Sequence, residues 1–142
     1  MYRTLAPWAD LFRSGNSVTS IFGVALGSIL ASEGLPSGDF AIITALHCLS
    51  VMTFMFSWNA LNDFMDIEID RINRPDRPLP SGEISEVAAS RGILFTAVLS
   101  FSFLIVAAYV SHSGEIGLEG WLPSLAIWML ALLILFNYES PS

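Results

Sequence analysis

The residues able to do chemistry gather in one stretch, from Asn59 to Gly82. It supplies Asn59, Asn62, Asp63, Asp66, Glu68 and Asp70, then Arg71, Asn73, Arg74, Asp76 and Arg77 among three prolines, Pro75, Pro78 and Pro80. If the apolar run ahead of this stretch continues as a helix to Asp70, a turn of about 100° per residue brings Asn59, Asn62, Asp63, Asp66 and Asp70 into one sector about 100° wide. Glu68 then falls on the far side without companions. Three carboxylates on one face repel one another, and a low-dielectric membrane boundary strengthens the repulsion. A divalent cation offsets it. Mg²⁺ is the natural candidate, because it takes hard oxygen ligands and commonly binds through one or two carboxylates plus substrate phosphates. The ligands are too few for an all-protein cage, so the open positions point to a phosphate or diphosphate partner.

The arginines downstream suit the same partner, since a guanidinium can grip phosphate oxygens with two parallel hydrogen bonds. The three prolines stop this stretch from continuing as a helix and hold it as a stiff loop. Ser85 is positioned to cap the helix that follows. A bland alternative exists, in which the charges form a solvated loop and the arginines only set membrane orientation.

The elements that must position these residues are long and apolar. Of the 142 residues, 54% are hydrophobic and only 13% charged, against about 25% charged in an average soluble domain. Four runs approach the roughly 20 residues needed to cross a bilayer: Val18–Ala31 (extended back toward Leu11), Phe40–Leu61, Ile93–Val110 and Trp121–Phe136. Trp121 and Tyr138 bracket the fourth as interfacial aromatics. Gly23 and Gly27 have the small-xxx-small spacing that permits close helix approach, though glycine is also ordinary in membrane helices. This composition excludes a soluble enzyme, a disordered chain and a disulfide scaffold, the one cysteine being Cys48 inside a span. The net charge of −7 and the absence of lysine exclude a nucleic-acid partner.

All six basic residues, Arg3, Arg13, Arg71, Arg74, Arg77 and Arg91, fall on one side of a four-span arrangement. Glu33, Asp39, Glu115 and Glu119 fall on the other. The positive-inside rule makes the arginine side, and with it the N-terminus, cytoplasmic. The expectation is therefore an all-α, multi-span transmembrane helical bundle in the cell's plasma or inner membrane, with residues 1–142 forming a single transmembrane domain. His47, in mid-span, is expected to hydrogen-bond to a neighbouring helix.

The pattern Asn62-Asp63-x-x-Asp66-x-x-x-Asp70, followed by Asn73-Arg74-Pro75-x-Arg77-Pro78-Leu79-Pro80-Ser81-Gly82, closely resembles the first aspartate-rich motif of the UbiA superfamily of membrane prenyltransferases. Arg13-Ser14-Gly15-Asn16 resembles the Arg-Pro-x-Asn that opens the first helix in that family, with serine in place of proline. The resemblance is strongest to the geranylgeranylglyceryl phosphate geranylgeranyltransferase and 4-hydroxybenzoate polyprenyltransferase branches. It implies Mg²⁺-dependent transfer of a polyprenyl group from its diphosphate to an aromatic or lipid-alcohol acceptor. Asn62, Asp66 and Asp70 would form the catalytic core and hold the metal with Asp63 adjoining, while Arg74, Arg77 and Asn59 would meet the diphosphate. The resemblance further implies a second aspartate-rich motif, which does not occur after Ser111. The chain is accordingly expected to be the N-terminal half of such an enzyme, with a complementary C-terminal half as a partner. An inactive membrane fragment or scaffold subunit is the alternative. A CDP-alcohol-type lipid transferase lacks its Asp-Gly and Ala-Arg pairs here, and a cation transporter would carry its carboxylates deeper in the membrane.

Overall fold

The computed structural model describes residues 5–114 and 117–139, with the side chains of 138 and 139 excepted, so Arg3, Glu115 and the Tyr138 ring lie outside the described residues. Every element among them is helical: α1 (Ala6–Leu11), α2 (Ser14–Ala31), α3 (Gly38–Met65), α4 (Ile67–Asn73), α5 (Glu86–Ser113) and α6 (Gly117–Glu139). Four of these, α2, α3, α5 and α6, are long and apolar enough to span a bilayer, in the order the sequence dictates. The helices outrun the apolar runs because each run marks only the stretch suited to hydrocarbon, while the hydrogen-bonded backbone continues into the interface. At the start of α5 the Ser85 hydroxyl accepts the Ala88 N–H at 3.2 Å, and the helix begins seven residues ahead of the apolar run. The first span begins at Ser14 and not at Leu11. Arg13, with φ 46° and ψ 51°, adopts a left-handed conformation and separates α1 from α2.

The long helices α3 and α5 form the central pair. Their seam is built from small hydroxyl residues, which let the backbones approach and replace the hydrophobic effect that hydrocarbon surroundings remove. Ser50 Oγ donates to the Ser100 carbonyl at 2.9 Å, and Ser100 Oγ donates to the Ser50 carbonyl at 2.8 Å. One end of the seam is fastened by Ser57 Oγ on the Ile93 carbonyl at 3.0 Å. From α6, Trp128 Nε1 donates to Ser100 Oγ at 3.2 Å, so three helices meet at one hydroxyl. Gly23 and Gly27 have nothing within 4 Å of the position a Cβ would take, so among the described residues no helix uses their spacing.

Two apolar clusters close the ends. Ile43, Leu104, Ala107 and Trp121 seal the end remote from the acidic motif, where the Trp121 indole also donates to the Leu104 carbonyl at 2.9 Å. At the motif end, Leu11, Ala60, Leu79, Ile84 and Ala89 draw α1 and the 74–85 loop onto α3 and α5. Trp8 seats against Gly92, where an added Cβ would lie 2.6 Å from the ring.

Candidate functional site

The acidic motif begins at the last turns of α3 and continues past a break. The helix does not run unbroken to Asp70: Asp66, with φ −87° and ψ 5°, ends α3 and precedes the short α4. Aspartate suits such a position because its short side chain competes with helical backbone bonding. The break nonetheless preserves the one-turn spacing. Asp66 N–H donates to the Asn62 carbonyl, Asp70 N–H to Asp66, and Arg74 N–H to Asp70, at 3.0, 2.8 and 2.8 Å. Asn62, Asp66, Asp70 and Arg74 therefore follow one another a turn apart.

The charge is neutralised inside the chain. Asp63 and Asp70 are buried, and Arg77 joins them, its Nη1 lying 3.1 Å from Asp63 Oδ1 and 2.5 Å from Asp70 Oδ2. Arg13, fifty residues earlier, places Nη2 2.6 Å from the same Asp63 oxygen. The stiff loop earns its role here: Leu79 and Ile84 are buried, Gly82 turns the chain at φ 78°, and the Ile84 N–H reaches the Pro78 carbonyl at 3.0 Å. Pinned this way, the loop delivers Arg77 back onto α3 and α4. Asp66 is exposed and forms no ion pair with a described residue, and Arg74 is likewise exposed and unpaired.

Other expected residues lie apart from this knot. The Asn59 side-chain amide donates to the Phe12 carbonyl and to Ser17 Oγ, both at 3.1 Å, tying α3 to the junction of α1 and α2. Arg71 turns away from the acidic face to Glu68, at 2.5 Å, and to Glu86, at 3.3 Å. Glu68 thus has a companion after all, because Arg71 lies three residues on and shares its outer surface.

Arg13, Asp63, Asn73, Arg74, Asp76 and Arg77 surround a polar cavity of about 530 Å³ together with Asp10. Sequence reading passed over Arg13 as a site residue. Its signal was the Arg13–Asn16 resemblance, which gave no hint of pairing with Asp63. Among the described residues no three acidic, histidine or cysteine side chains converge as a metal cage. What is present suits the sparser mode of a hard cation shared with phosphate: Asp66 is free of arginine, and Asp63 and Asp70 each engage arginine through one oxygen only.

A second, apolar cavity of about 580 Å³ lies between α3 and α6 with Val24 of α2 at its side. On α3 its lining includes His47, Val51, Phe54 and Met55. At about 100° per residue, His47, Val51, Met55 and Asn62 share a sector about 80° wide, so one face of α3 carries the hydrocarbon wall and, further along, the first amide of the motif.

Known proteins resemble this chain in sequence and fold. Residues 20–139 match the UbiA prenyltransferase family. Digeranylgeranylglyceryl phosphate synthase of Methanobrevibacter smithii is 34% identical over 137 residues, covering 96% of this chain and 44% of that protein. The enzyme of the same name from Haloquadratum walsbyi is 41% identical over 107 residues, covering 73% of this chain and 32% of its own. A solved structure concerned with digeranylgeranylglyceryl phosphate synthase in membranes superposes with a TM-score of 0.66 at 31% identity, covering 96% of this chain and 43% of that one. The chain spans less than half the length of these relatives. With four helices of spanning length, it is an integral membrane protein. The acidic row, the arginine-bearing loop and the match over most of the sequence lead to one assignment: the chain belongs to the UbiA prenyltransferase family.

Proposed function

We propose that the chain binds a polyprenyl diphosphate for Mg²⁺-dependent transfer of the prenyl group to an acceptor. The observation that carries this reading is the row Asn62, Asp66, Asp70 and Arg74, set beside the Arg13–Asp63–Arg77–Asp70 knot, with an apolar cavity lined by the same face of α3 nearer its start. Asn62, Asp66 and Asp70 would hold the cation, with Asp63 adjoining. Bound there, Mg²⁺ supplies electrostatic stabilisation of the departing diphosphate. Arg74 and Arg77 share that charge, and the exposed Arg74 meets the diphosphate first. Arg77 fixes the spacing of Asp63 and Asp70, and Arg13 holds Asp63 in place from the side of α1. Asn59 completes the wall between the first span and α3. The apolar cavity receives the hydrocarbon tail and keeps water from the allylic carbon. The relatives' name describes a glyceryl phosphate with two geranylgeranyl chains, which favours a lipid-alcohol acceptor over an aromatic one.

The arginine-rich side is taken as cytoplasmic, and a complementary C-terminal half is taken to supply the remaining ligands. A second reading, an inactive scaffold subunit, draws support from the neutralisation of Asp63 and Asp70 within the chain. Binding of geranylgeranyl diphosphate to the protein in nanodiscs, together with the C-terminal half of a family member and with and without Mg²⁺, separates the two. The enzymatic reading expects each ligand to strengthen binding of the other, with Asp66→Asn or Asp70→Asn abolishing this and Glu68→Gln leaving it nearly intact. No mutual enhancement favours the scaffold, and equal loss in all three variants contradicts the assigned acidic face.

A further inference from the structure

A groove of about 750 Å³ lies between α1, α3 and α5, apart from both cavities above. Phe12 packs its ring against Trp8 and Phe56, at centroid distances of 5.4 and 5.2 Å, and α5 adds Phe95 and Phe103 to the lining. The two threonine hydroxyls in the groove are occupied within their own helices. Thr53 donates to the Leu49 and Ser50 carbonyls, and Thr96 to those of Gly92 and Ile93. Arg91 is left as the charged group among the described lining residues. On α3, at about 100° per residue, Leu49, Met52 and Phe56 fall about 130° round from His47, Val51 and Met55, so the groove lies across the helix from the apolar cavity. His47 stays in that cavity, and, against the expectation of a hydrogen bond, its buried Nε2 meets no described partner.

Arg91 is exposed and forms no ion pair with a described residue, whereas Arg13, Arg71 and Arg77 each hold a carboxylate. Side chains lean toward the N-terminus of their helix, and α5 starts at the motif end. An arginine placed there reaches out to the interface while its methylenes stay on apolar surface. Inward from Arg91 the groove extends to Phe103, about 18 Å along α5 at 1.5 Å per residue. One leaflet of a bilayer holds about 15 Å of hydrocarbon. The groove therefore has the depth of one acyl chain, with a positive charge at its outer end. We propose that it binds an anionic phospholipid of the leaflet on the arginine side, with the phosphate on Arg91 and one acyl chain along Phe56, Phe95 and Phe103. A zwitterionic headgroup brings its own cation to the same place, so a guanidinium without a carboxylate partner favours the anionic lipid. Such a lipid would bind whether or not the chain takes a prenyl diphosphate.

Native mass spectrometry of the chain released from nanodiscs of equal parts phosphatidylglycerol and phosphatidylcholine reads which lipid stays bound. Phosphatidylglycerol is expected to remain in preference, and Arg91→Gln to lower that preference by about fivefold, the worth of one arginine beside an anionic lipid surface. Arg91→Lys keeps the charge and is expected to keep the preference. So is Arg71→Gln, which removes an arginine held by Glu68 and Glu86. An unchanged preference in Arg91→Gln overturns the proposal. Equal loss in Arg71→Gln assigns the attraction to general surface charge and overturns it too. Should Arg91→Gln not fold, phosphatidylglycerol with a diazirine at the end of one acyl chain decides the question on the wild type. Labelling at Leu49, Leu99 or Phe103 supports the site, and labelling confined to α2 and α6 overturns it. Loss of that label when the C-terminal half of a family member is added gives the groove to that half, and likewise overturns the lipid site.

Discussion

Arg77 and Arg71 sit six residues apart and carry the same charge, yet they do different work. Arg77 reaches two carboxylates that are each less than a tenth exposed, whereas Arg71 bridges Glu68 and Glu86 in solvent, all three being about half exposed or more. Removing the partner of a buried charge leaves it desolvated and unpaired; a solvated pair is replaced by water. Arg77→Ala is thus expected to cost about 2 kcal/mol, below the range for fully buried pairs because Arg77 is a quarter exposed. Arg71→Ala is expected to stay within about 0.5 kcal/mol. Unfolding in mixed detergent micelles, followed by circular dichroism, measures both. The local sequence made the acidic row legible because helical spacing is a local property. It did not reveal that arginines would neutralise it, since Arg13 and Asp63 meet across fifty residues and no periodicity encodes such a meeting.

At the scale of elements, the hydroxyl seam determines how α3 and α5 associate. Ser100 is fully buried and serves both α3 and the Trp128 indole. Ser100→Ala is expected to destabilise the bundle by about 1 kcal/mol, within the range for hydrogen bonds between membrane helices, while Ser102→Ala has no comparable effect. Ser102 is exposed and bonds only to the Val98 carbonyl of its own helix. The same unfolding assay compares the two. Gly92→Ala acts differently: its methyl would meet the Trp8 ring at 2.6 Å, so α1 must shift or detach. Faster amide exchange over Ala6–Leu11 is the expected sign. The four spans were readable because hydrocarbon demands continuous apolar sequence. The break at Asp66 was not, because a helix of this composition continues or stops according to what its end packs against.

Taken whole, the molecule has a polar end and a sealed apolar end, and its orientation can be checked directly. In a Cys48→Ser background, Ser81→Cys is expected to react with a membrane-impermeant maleimide only from the cytoplasmic side, and Ser37→Cys only from the outside. Reversed labelling would overturn the orientation taken from the arginines. The four-span architecture was thus available from composition. The apolar cavity was not, because it needs the register of α3 against α6, which the ring contacts Phe54–Trp128 and Trp58–Phe136 help to fix.

The ionic knot has a bearing on how the protein is made. Its members, Arg13, Asp63, Asp70 and Arg77, all precede α5 and α6. During synthesis, which releases the chain from its N-terminus onward, the knot can close once the loop through Ile84 has left the ribosome, with only the first two spans inserted. The diphosphate station would then be a template already in place when the later helices arrive, rather than the last feature to form.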